Sequence, residues 1–240
     1  MMNATSTKPL GRKCYGSIGH LPNSRLGPGD HKVSPGQARI CTECVRDKHD
    51  TVYVEMKLDG SCVGVALLDG KLIPLNRAGW PCVSSPHEQH RLFDTYVWQN
   101  EQQFRTVLRE GERIVGEWLA LAHGTLYDLE YYPPFCVFDI MAGEQRMLRQ
   151  AFWARLYQSG LWAAPLLHDG GALSTKDAMS KLDGRLEFPC DQHEGVVYRV
   201  ERQGRVDFLA KHVRGDKVDG KHLPEISGKP AVWHWRPDRS

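Results

Sequence analysis

Residues 51–75 read TVYVEMKLDGSCVGVALLDGKLIPL and predict three consecutive β-strands. Val52, Val54 and Met56 alternate with Tyr53, Glu55 and Lys57, which is the period of a half-buried strand that ends at Lys57. A second run at 62–68 is followed by Asp-Gly and a third run at 71–75. Because Asp-Gly between apolar runs is a strong hairpin signal, the second and third strands are expected to be antiparallel.

Outside this stretch, the chain alternates between predicted helices and strands. Ser85-Pro86-His87-Glu88 has the pattern of a helix start, with Ser85 as the N-cap and Glu88 completing a capping box, and the helix is expected to reach about residue 108. Further strands are predicted at 113–118, 135–141, 195–200 and 206–213, and further helices at 147–158 and 174–182. Hairpins with interspersed helices indicate an α+β fold with mainly antiparallel sheets and packed helices.

Three segments are expected along the chain. Residues 1–37 are rich in Gly, Pro, Ser and His and predict a loop-rich N-terminal arm. Residues 38–222 are expected to form the main domain, and residues 223–240 a short C-terminal tail.

Composition narrows the class of protein without indicating its chemistry. The chain has 240 residues and is 41% hydrophobic. Its net charge of +2 is too small to indicate nucleic-acid binding by itself. The polar start and the absence of a long apolar run predict no signal peptide and no membrane association. Seven scattered cysteines fit reduced thiols in a cytoplasmic protein. Cys41 and Cys44, with His49 nearby, leave a zinc site open, although four ligands are usual.

The tetrapeptide pattern K-x-D-G occurs three times, beginning at Lys57, Lys181 and Lys217. Lys181 lies at the end of a predicted helix, where Gly184 suits a C-terminal cap, and Lys217 lies in a charged loop near the C-terminus. Lys57 alone ends a strand and precedes a turn and a hairpin. The sequence context therefore selects Lys57 as the candidate nucleophile.

A lysine that attacks phosphorus must present a neutral amine, whereas its pKa in solution is about 10.4. Lowering this pKa by roughly three units costs about 4 kcal/mol. Burial and nearby cations, such as a metal ion or another lysine, would act in that direction. We therefore expect Lys57 to face a pocket, with Gly60 allowing a nucleotide to approach the backbone closely.

Five further motifs follow the Lys57 motif. They are Asn76-Arg77-Ala78-Gly79, Gly116-Glu117-Trp118, Phe135-Cys136-Val137-Phe138-Asp139-Ile140, Glu194-Gly195-Val196-Val197 and Leu209-Ala210-Lys211. Together with the lysine motif, this order resembles the covalent nucleotidyltransferase superfamily of ATP-dependent RNA ligases, DNA ligases and mRNA capping enzymes. The chain is most similar to the RNA ligases. The last motif departs from the family, which often has a second lysine where this chain has Leu209.

The resemblance implies a nucleotidyltransferase fold, that is, an ATP-grasp-like ligase adenylation domain. It implies that Lys57 and Lys211 are catalytic, with Lys57 taking AMP from ATP, and that Mg²⁺ or Mn²⁺ is held by Glu194. Glu117 would hold the ribose hydroxyls and Phe138 would stack on adenine. The full set of implied ATP-binding residues is Lys57, Asp59, Gly60, Arg77, Glu117, Phe138, Glu194 and Lys211.

The resemblance also implies an RNA substrate, with AMP passing to a 5′-phosphate that is then sealed to a 3′-hydroxyl. Only 240 − 211 = 29 residues follow Lys211, too few for the OB-fold domain typical of DNA ligases and capping enzymes. Arg25, Arg77 and Arg214 are the candidate RNA contacts. DNA as the substrate, a stand-alone adenylyltransferase, and an RNA-binding module with an inactive fold remain alternatives.

Overall fold

The computed structural model describes residues 7–237, which contain eleven β-strands and six α-helices. The strands are β1 Gly19–His20, β2 Asp50–Lys57, β3 Ser61–Leu68, β4 Lys71–Asn76, β5 Glu112–Trp118, β6 Phe135–Ala142, β7 Gln145–Arg146, β8 Trp162–Ala163, β9 Leu166–Gly170, β10 Gly195–Arg202 and β11 Arg205–Val213. The helices are α1 Pro35–Thr42, α2 Glu88–Gln99, α3 Glu101–Val107, α4 Arg149–Leu156, α5 Thr175–Asp183 and α6 Pro224–Ser227.

The strands form two sheets. The first has the order β1-β11-β10-β2-β9, and the second has the order β4-β3-β5-β6-β7 with β8 also pairing with β6. All neighbours are antiparallel except the short pairs β1/β11 and β6/β8. The predicted α+β class with mainly antiparallel sheets is therefore confirmed, as are the long predicted strands to within one or two residues.

The helix predictions need two corrections. Ser85 does not cap α2, which begins at Glu88 with His87 as its N-cap and no side-chain cap. The predicted single helix to residue 108 is divided at Asn100, whose side-chain amide donates to the Tyr96 carbonyl at 2.8 Å. A capping box does occur at α1, between Ser34 and Gln37. Within residues 7–237, no helix is long and apolar enough to cross a membrane.

Two apolar cores position the sheets. One lies between the second sheet and helices α2, α3 and α4, and the other packs the first sheet against α1 and α5. In the first core, Trp118 at the end of β5 is fully buried, and the tail residue Trp235 packs on it with ring centroids 5.4 Å apart. The chain near both termini is also tied to the sheets, because β1 pairs with β11 and the His234 ring contacts the Leu119 carbonyl at 2.7 Å.

Buried ion pairs hold the first sheet against helix α4 and against the second sheet. Glu55 on β2 pairs with Arg149 on α4 at 2.8 Å, and both side chains are at most 5% exposed. Arg199 on β10 pairs with Asp139 on β6 at 3.3 Å and with Glu201 at 2.8 Å. Removing one partner of such a pair leaves an uncompensated charge in the interior, which is strongly destabilising.

Arg149→Met is therefore expected to lower the free energy of unfolding by about 3–5 kcal/mol, because Glu55 loses its buried partner. Adding Glu55→Gln should recover a large part of the loss. The measurement is urea unfolding followed by circular dichroism, with Arg39→Met as the control. Arg39 and Glu43 form an exposed i,i+4 pair, so that control should barely change stability. A double variant as unstable as Arg149→Met alone would contradict the charge-burial explanation.

Candidate active site

A cleft of about 550 Å³ opens between the two sheets. Seven of the eight residues predicted to bind ATP line it, namely Lys57, Asp59, Gly60, Arg77, Glu117, Phe138 and Lys211. The eighth, Glu194, contacts Lys57 directly. The motifs that are far apart in sequence therefore converge on one cavity.

Strand register brings the two candidate catalytic lysines to the same wall. Glu55 on β2 lies opposite Val197 on β10, which in turn lies opposite Lys211 on β11. Lys57 is two residues beyond Glu55, and alternate residues of a strand face the same side. Both lysines therefore project from one sheet face into the cleft.

Lys57 forms an ion pair with Glu194. Because Lys57 lies opposite Gly195 across the β2/β10 ladder, the preceding Glu194 is adjacent to the lysine, and its Oε2 is 2.6 Å from the Lys57 Nζ. Their side chains are 22% and 9% exposed. The pair thus combines a largely desolvated environment with a remaining opening towards the cleft.

The electrostatics at Lys57 differ from the sequence-based expectation. Burial lowers the pKa of Lys57, but the carboxylates of Glu194, Glu117 and Asp59 outweigh it and hold the pKa above its ordinary value. Burial raises the pKa of Glu194, whereas the positive charge of Lys57 lowers it. In the protein alone the Lys57 amine is therefore protonated, and the expected lowering of its pKa does not come from the chain's own groups.

Glu117 contacts the turn that follows the lysine. It lies opposite Cys62 in the β3/β5 ladder, and its Oε1 accepts the Gly60 N–H at 3.1 Å. A Cβ at Gly60 would lie 2.4 Å from the Trp118 carbonyl oxygen, so a larger residue would push this turn away from β5. Glycine is therefore needed here for close packing of the turn against the strand that carries Glu117.

Asp59 is held by the segment that follows β5 and by Lys217. Its Oδ2 accepts the Gly124 N–H at 2.9 Å and the Thr125 hydroxyl at 3.2 Å, and lies 3.0 Å from the Lys217 Nζ. Lys217 is 2% exposed and also donates to the Gly124 carbonyl at 2.7 Å. Lys217 lies in a loop after β11, as predicted, but its side chain is buried against the motif that begins at Lys57.

Lys211 meets the N-terminal arm instead of a second lysine. Its Nζ is 3.5 Å from Asp30 Oδ1, and Leu209 lines the cleft where the family pattern often has lysine. Burial, followed by the positive charge of Lys57, lowers the pKa of Lys211 below its ordinary value, whereas Asp30 and Glu194 oppose that change.

The remaining predicted residues divide into those inside and those outside the cleft. Phe138 packs edge-to-face on Tyr15 with centroids 5.0 Å apart, and the Arg77 guanidinium donates to the Gly16 carbonyl at 3.4 Å. Arg25 and Arg214 do not line the cleft. Arg25 pairs with Asp219 at 2.6 Å and Arg214 with Asp183, so RNA contact by these two arginines stays a prediction.

Several lining residues were not foreseen from sequence. Glu55 shares the face of Lys57 and could have been found from the strand period, but nothing in the sequence marks Arg199, His87 or His90. The two nitrogens of His90 contact Ser61 at 3.1 Å and Ser85 at 2.7 Å, and burial lowers the pKa of His90 to about 4. His90 is therefore a neutral hydrogen-bonding group of the cleft wall at physiological pH.

The described residues do not support a zinc site, but they fit a divalent ion that accompanies ATP. Among residues 7–237, no three His, Cys, Asp or Glu side chains form a metal-binding group, and Cys41 is buried in the core beneath α1, so the zinc alternative gains no support. Mg²⁺ and Mn²⁺ in nucleotide sites commonly use one or two carboxylates together with substrate phosphates and water. Glu194, at the edge of an open cleft, fits that donor set.

Together, the fold and the cleft define the nucleotidyltransferase class of ligases that the motifs resemble. The family described as RNA ligase matches residues 50–213, and the chain belongs to that family. The matched range begins at β2 and ends at the last residue of β11, so it contains every strand that carries a lysine of the cleft. No curated protein matches the sequence.

Solved structures share the fold at low sequence identity. An archaeal ATP-dependent RNA ligase is 20% identical with a TM-score of 0.51, and the match covers 83% of this chain and 48% of that chain. A mutant of the Naegleria gruberi RNA ligase with AMP and Mn is 17% identical with a TM-score of 0.50, covering 81% of this chain and 59% of that one. The matched region thus spans about half the length of these structures.

Glu117→Gln is expected to stabilise the protein at alkaline pH. Burial, together with Glu194 and Asp59, raises the pKa of Glu117 from 4.5 to about 8, so the carboxyl ionises more easily in the unfolded chain than in the folded one. Its contribution to stability is therefore lost as the pH rises from 4.5 through about 8. Glutamine still accepts the Gly60 N–H but does not ionise.

The measurement is the thermal unfolding midpoint as a function of pH. The midpoints of wild type and Glu117→Gln should agree below about pH 4.5, separate in favour of the variant as the pH rises, and reach their full difference at about pH 8. Glu112→Gln on the same strand removes the ion pair with Arg155 and should not stabilise at any pH. Equal midpoints of wild type and Glu117→Gln at alkaline pH would contradict the proposed ionisation.

Proposed function

We propose that this protein is an ATP-dependent RNA ligase in which Lys57 forms a covalent lysyl-AMP intermediate. AMP then passes to an RNA 5′-phosphate, and a 3′-hydroxyl displaces AMP to seal the strand. The observation that carries the proposal is the position of Lys57, at a strand end inside the cleft, with Glu194 at 2.6 Å and with Glu117 and Lys211 on the surrounding walls.

In the first step, the Lys57 nitrogen attacks the α-phosphorus of ATP, the bond to the bridging oxygen breaks, and pyrophosphate leaves. The amine must first lose its proton, and the pairing with Glu194 opposes that loss. A divalent cation bound to Glu194 and phosphate oxygens would supply positive charge that offsets the charge of ATP and pyrophosphate. With Glu194 so engaged, Lys57 would lose the carboxylate that holds its proton most strongly.

The cleft offers groups suited to each part of ATP. Phe138 lines the cleft, and its ring would stack on adenine. Glu117 accepts hydrogen bonds and would take the ribose hydroxyls. Lys211 would contact the α-phosphate, where it would stabilise negative charge that develops during attack.

The identical tetrapeptide Lys-Leu-Asp-Gly at 57–60 and 181–184 provides a matched control for the nucleophile. With α-labelled ATP and Mg²⁺ or Mn²⁺, Lys57→Ala should retain no label after denaturation, whereas Lys181→Ala should be labelled like wild type. Lys181 is exposed on α5, outside the cleft, so its loss removes the same side chain without touching the site. Label on Lys57→Ala, or no label on wild type, would reject the lysyl-AMP proposal.

The acceptor step is inferred from family membership and from cations at the cleft. Arg77 and Lys211 line the cavity, and Arg25 and Arg214 lie on segments that flank β11. Because phosphate contacts fix a strand's position without reading its bases, these cations would serve RNA of any sequence. Assays with RNA and DNA strands of defined ends distinguish RNA from DNA as the acceptor, and from a substrate other than nucleic acid.

RNA that already carries AMP on its 5′-phosphate should be sealed by both wild type and Lys57→Ala without ATP. The reason is that this substrate already carries the AMP that Lys57 would otherwise transfer. In contrast, 5′-phosphate RNA with ATP should be sealed only by wild type. Product length on a denaturing gel is the measurement, with matched DNA strands alongside. Labelled protein that seals neither RNA substrate would indicate an adenylyltransferase with another acceptor, and sealing of DNA alone would indicate a DNA ligase.

A further inference from the structure

The N-terminal arm, which precedes the family-matched range, surrounds Lys211. β1 pairs in parallel with β11 so that His20 lies beside Lys211, and the Leu21 N–H donates to the Lys211 carbonyl at 2.8 Å. The arm then turns back and brings Asp30 within 3.5 Å of the Lys211 Nζ. The residue most directly in contact with the Lys211 amine thus comes from outside residues 50–213.

His20 contacts Asp30 at one end of a row of polar groups. The His20 Nε2 is 3.0 Å from Asp30 Oδ2, and its Nδ1 is 2.7 Å from the Ser24 hydroxyl, which accepts the Val213 N–H at 2.9 Å. The Nε2 contact with Asp30 lacks hydrogen-bond geometry and is a close approach only, and the Ser24 hydroxyl lies within reach of both Nδ1 and the Arg25 carbonyl, at 3.4 Å from the latter. Asp30 Oδ2 also accepts the Gly27 N–H, which leaves Oδ1 facing Lys211.

The burial of this row is unusual for surface-loop residues. His20 is 1% exposed and Ser24 is 7% exposed, although both belong to a Gly- and Pro-rich segment. Burial and the charge of Lys211 lower the pKa of His20, which agrees with a neutral ring. His20 and Ser24 thus form a buried support beside Asp30, whose own side chain is 28% exposed and is held by the Gly27 N–H.

We propose that Asp30, supported by His20, is a positioning residue that directs the Lys211 amine into the cleft for the adenylation step. This role rests on the proposed function. The chain lacks the second lysine of the family pattern, so one amine must meet the α-phosphate without help from a neighbour at Leu209. Long lysine side chains lose considerable rotamer freedom when held, and a fixed carboxylate removes that freedom before ATP binds.

Charged groups act on the Lys211 amine from two sides, and its contact with Asp30 is a loose one. Lys57 on β2 and Glu194 before β10 act on the amine from the sheet, while Asp30 and His20 act from the arm. At 3.5 Å the Asp30 contact is longer than the usual 2.7–2.9 Å of a charge-assisted hydrogen bond. A phosphate oxygen can therefore accept hydrogen bonds from the Lys211 ammonium group while Asp30 keeps the side chain in place.

The first test measures single-turnover lysyl-AMP formation at several ATP concentrations. Asp30→Asn should slow the maximal rate roughly 10- to 100-fold while changing the half-saturating ATP concentration much less, because orientation and not ground-state binding is lost. His20→Leu should behave similarly, and His20→Gln, which keeps an N–H donor, should recover most of the rate. The matched control is Asp219→Asn, which removes the arm's ion pair with Arg25 and leaves Lys211 untouched.

The decisive comparison uses the Lys211→Ala background. If Asp30 acts through Lys211, adding Asp30→Asn to Lys211→Ala should cause no further loss of rate. A further loss as large as that in wild type, or a control variant as slow as Asp30→Asn, would overturn the proposal and leave only a structural role for the arm. Equal thermal unfolding midpoints of the variants verify that folding is not the cause.

A second readout does not depend on ATP. Acetic anhydride acylates neutral amines, so modification of Lys211, mapped by peptide mass spectrometry and normalised to Lys181 in the same sample, should increase several-fold in Asp30→Asn. Unchanged modification would overturn the contact itself. If wild type took no label from ATP but Lys211 still responded to Asp30, the proposed ligase function would fail while the positioning contact stood.

Discussion

The pairing of β2 with β10, and of β10 with β11, is the constraint on which the site depends. These ladders align Glu55, Val197 and Lys211 across three strands and set Glu194 beside Lys57. A one-residue slip in either ladder would turn a lysine or a glutamate to the opposite face, because side chains alternate along a strand. The buried pairs of Glu55 with Arg149 and of Arg199 with Asp139 oppose such a slip, since it would leave their charges unpaired in the interior.

The same ladders create a site whose resting charges oppose its chemistry. Three carboxyl groups near Lys57 outweigh burial and hold its amine protonated, and burial, together with neighbouring carboxylates, raises the pKa of both Glu194 and Glu117. A protein selected only for stability would not gather these acids around one lysine. The arrangement becomes reasonable when a cationic cofactor and a polyanionic substrate enter together, because each charge in the cleft then gains a partner.

Sequence patterns were sufficient for features that depend on nearby residues. The strand ending at Lys57, the Asp69-Gly70 hairpin and the order of the motifs follow from alternation, turn residues and resemblance, and the family match begins and ends at the expected strands. Contacts between distant segments were not accessible in this way. Lys217 and Asp30 lie in loops whose composition resembles that of any exposed segment, and only the folded backbone brings them to Asp59 and to Lys211 on β11. The α2 start was misplaced because Ser85 bonds to His90 instead of capping the helix.

The two sheets differ in how far apart their paired strands lie along the chain. In the second sheet, β3 pairs with β4 and β5, and β5 pairs with β6, all within residues 61–142, whereas Lys57 on β2 and Glu194 before β10 are 137 residues apart. Loop closure makes distant pairings slower to form than local ones. During synthesis, the second sheet has all its strands once β8 has emerged, but β2 must wait for β10 and the arm must wait for β11. The pocket that would hold ATP is consequently completed among the last parts of the molecule, so a chain interrupted before β10 exposes half a cleft and an unpaired β2 edge, a surface prone to aggregation.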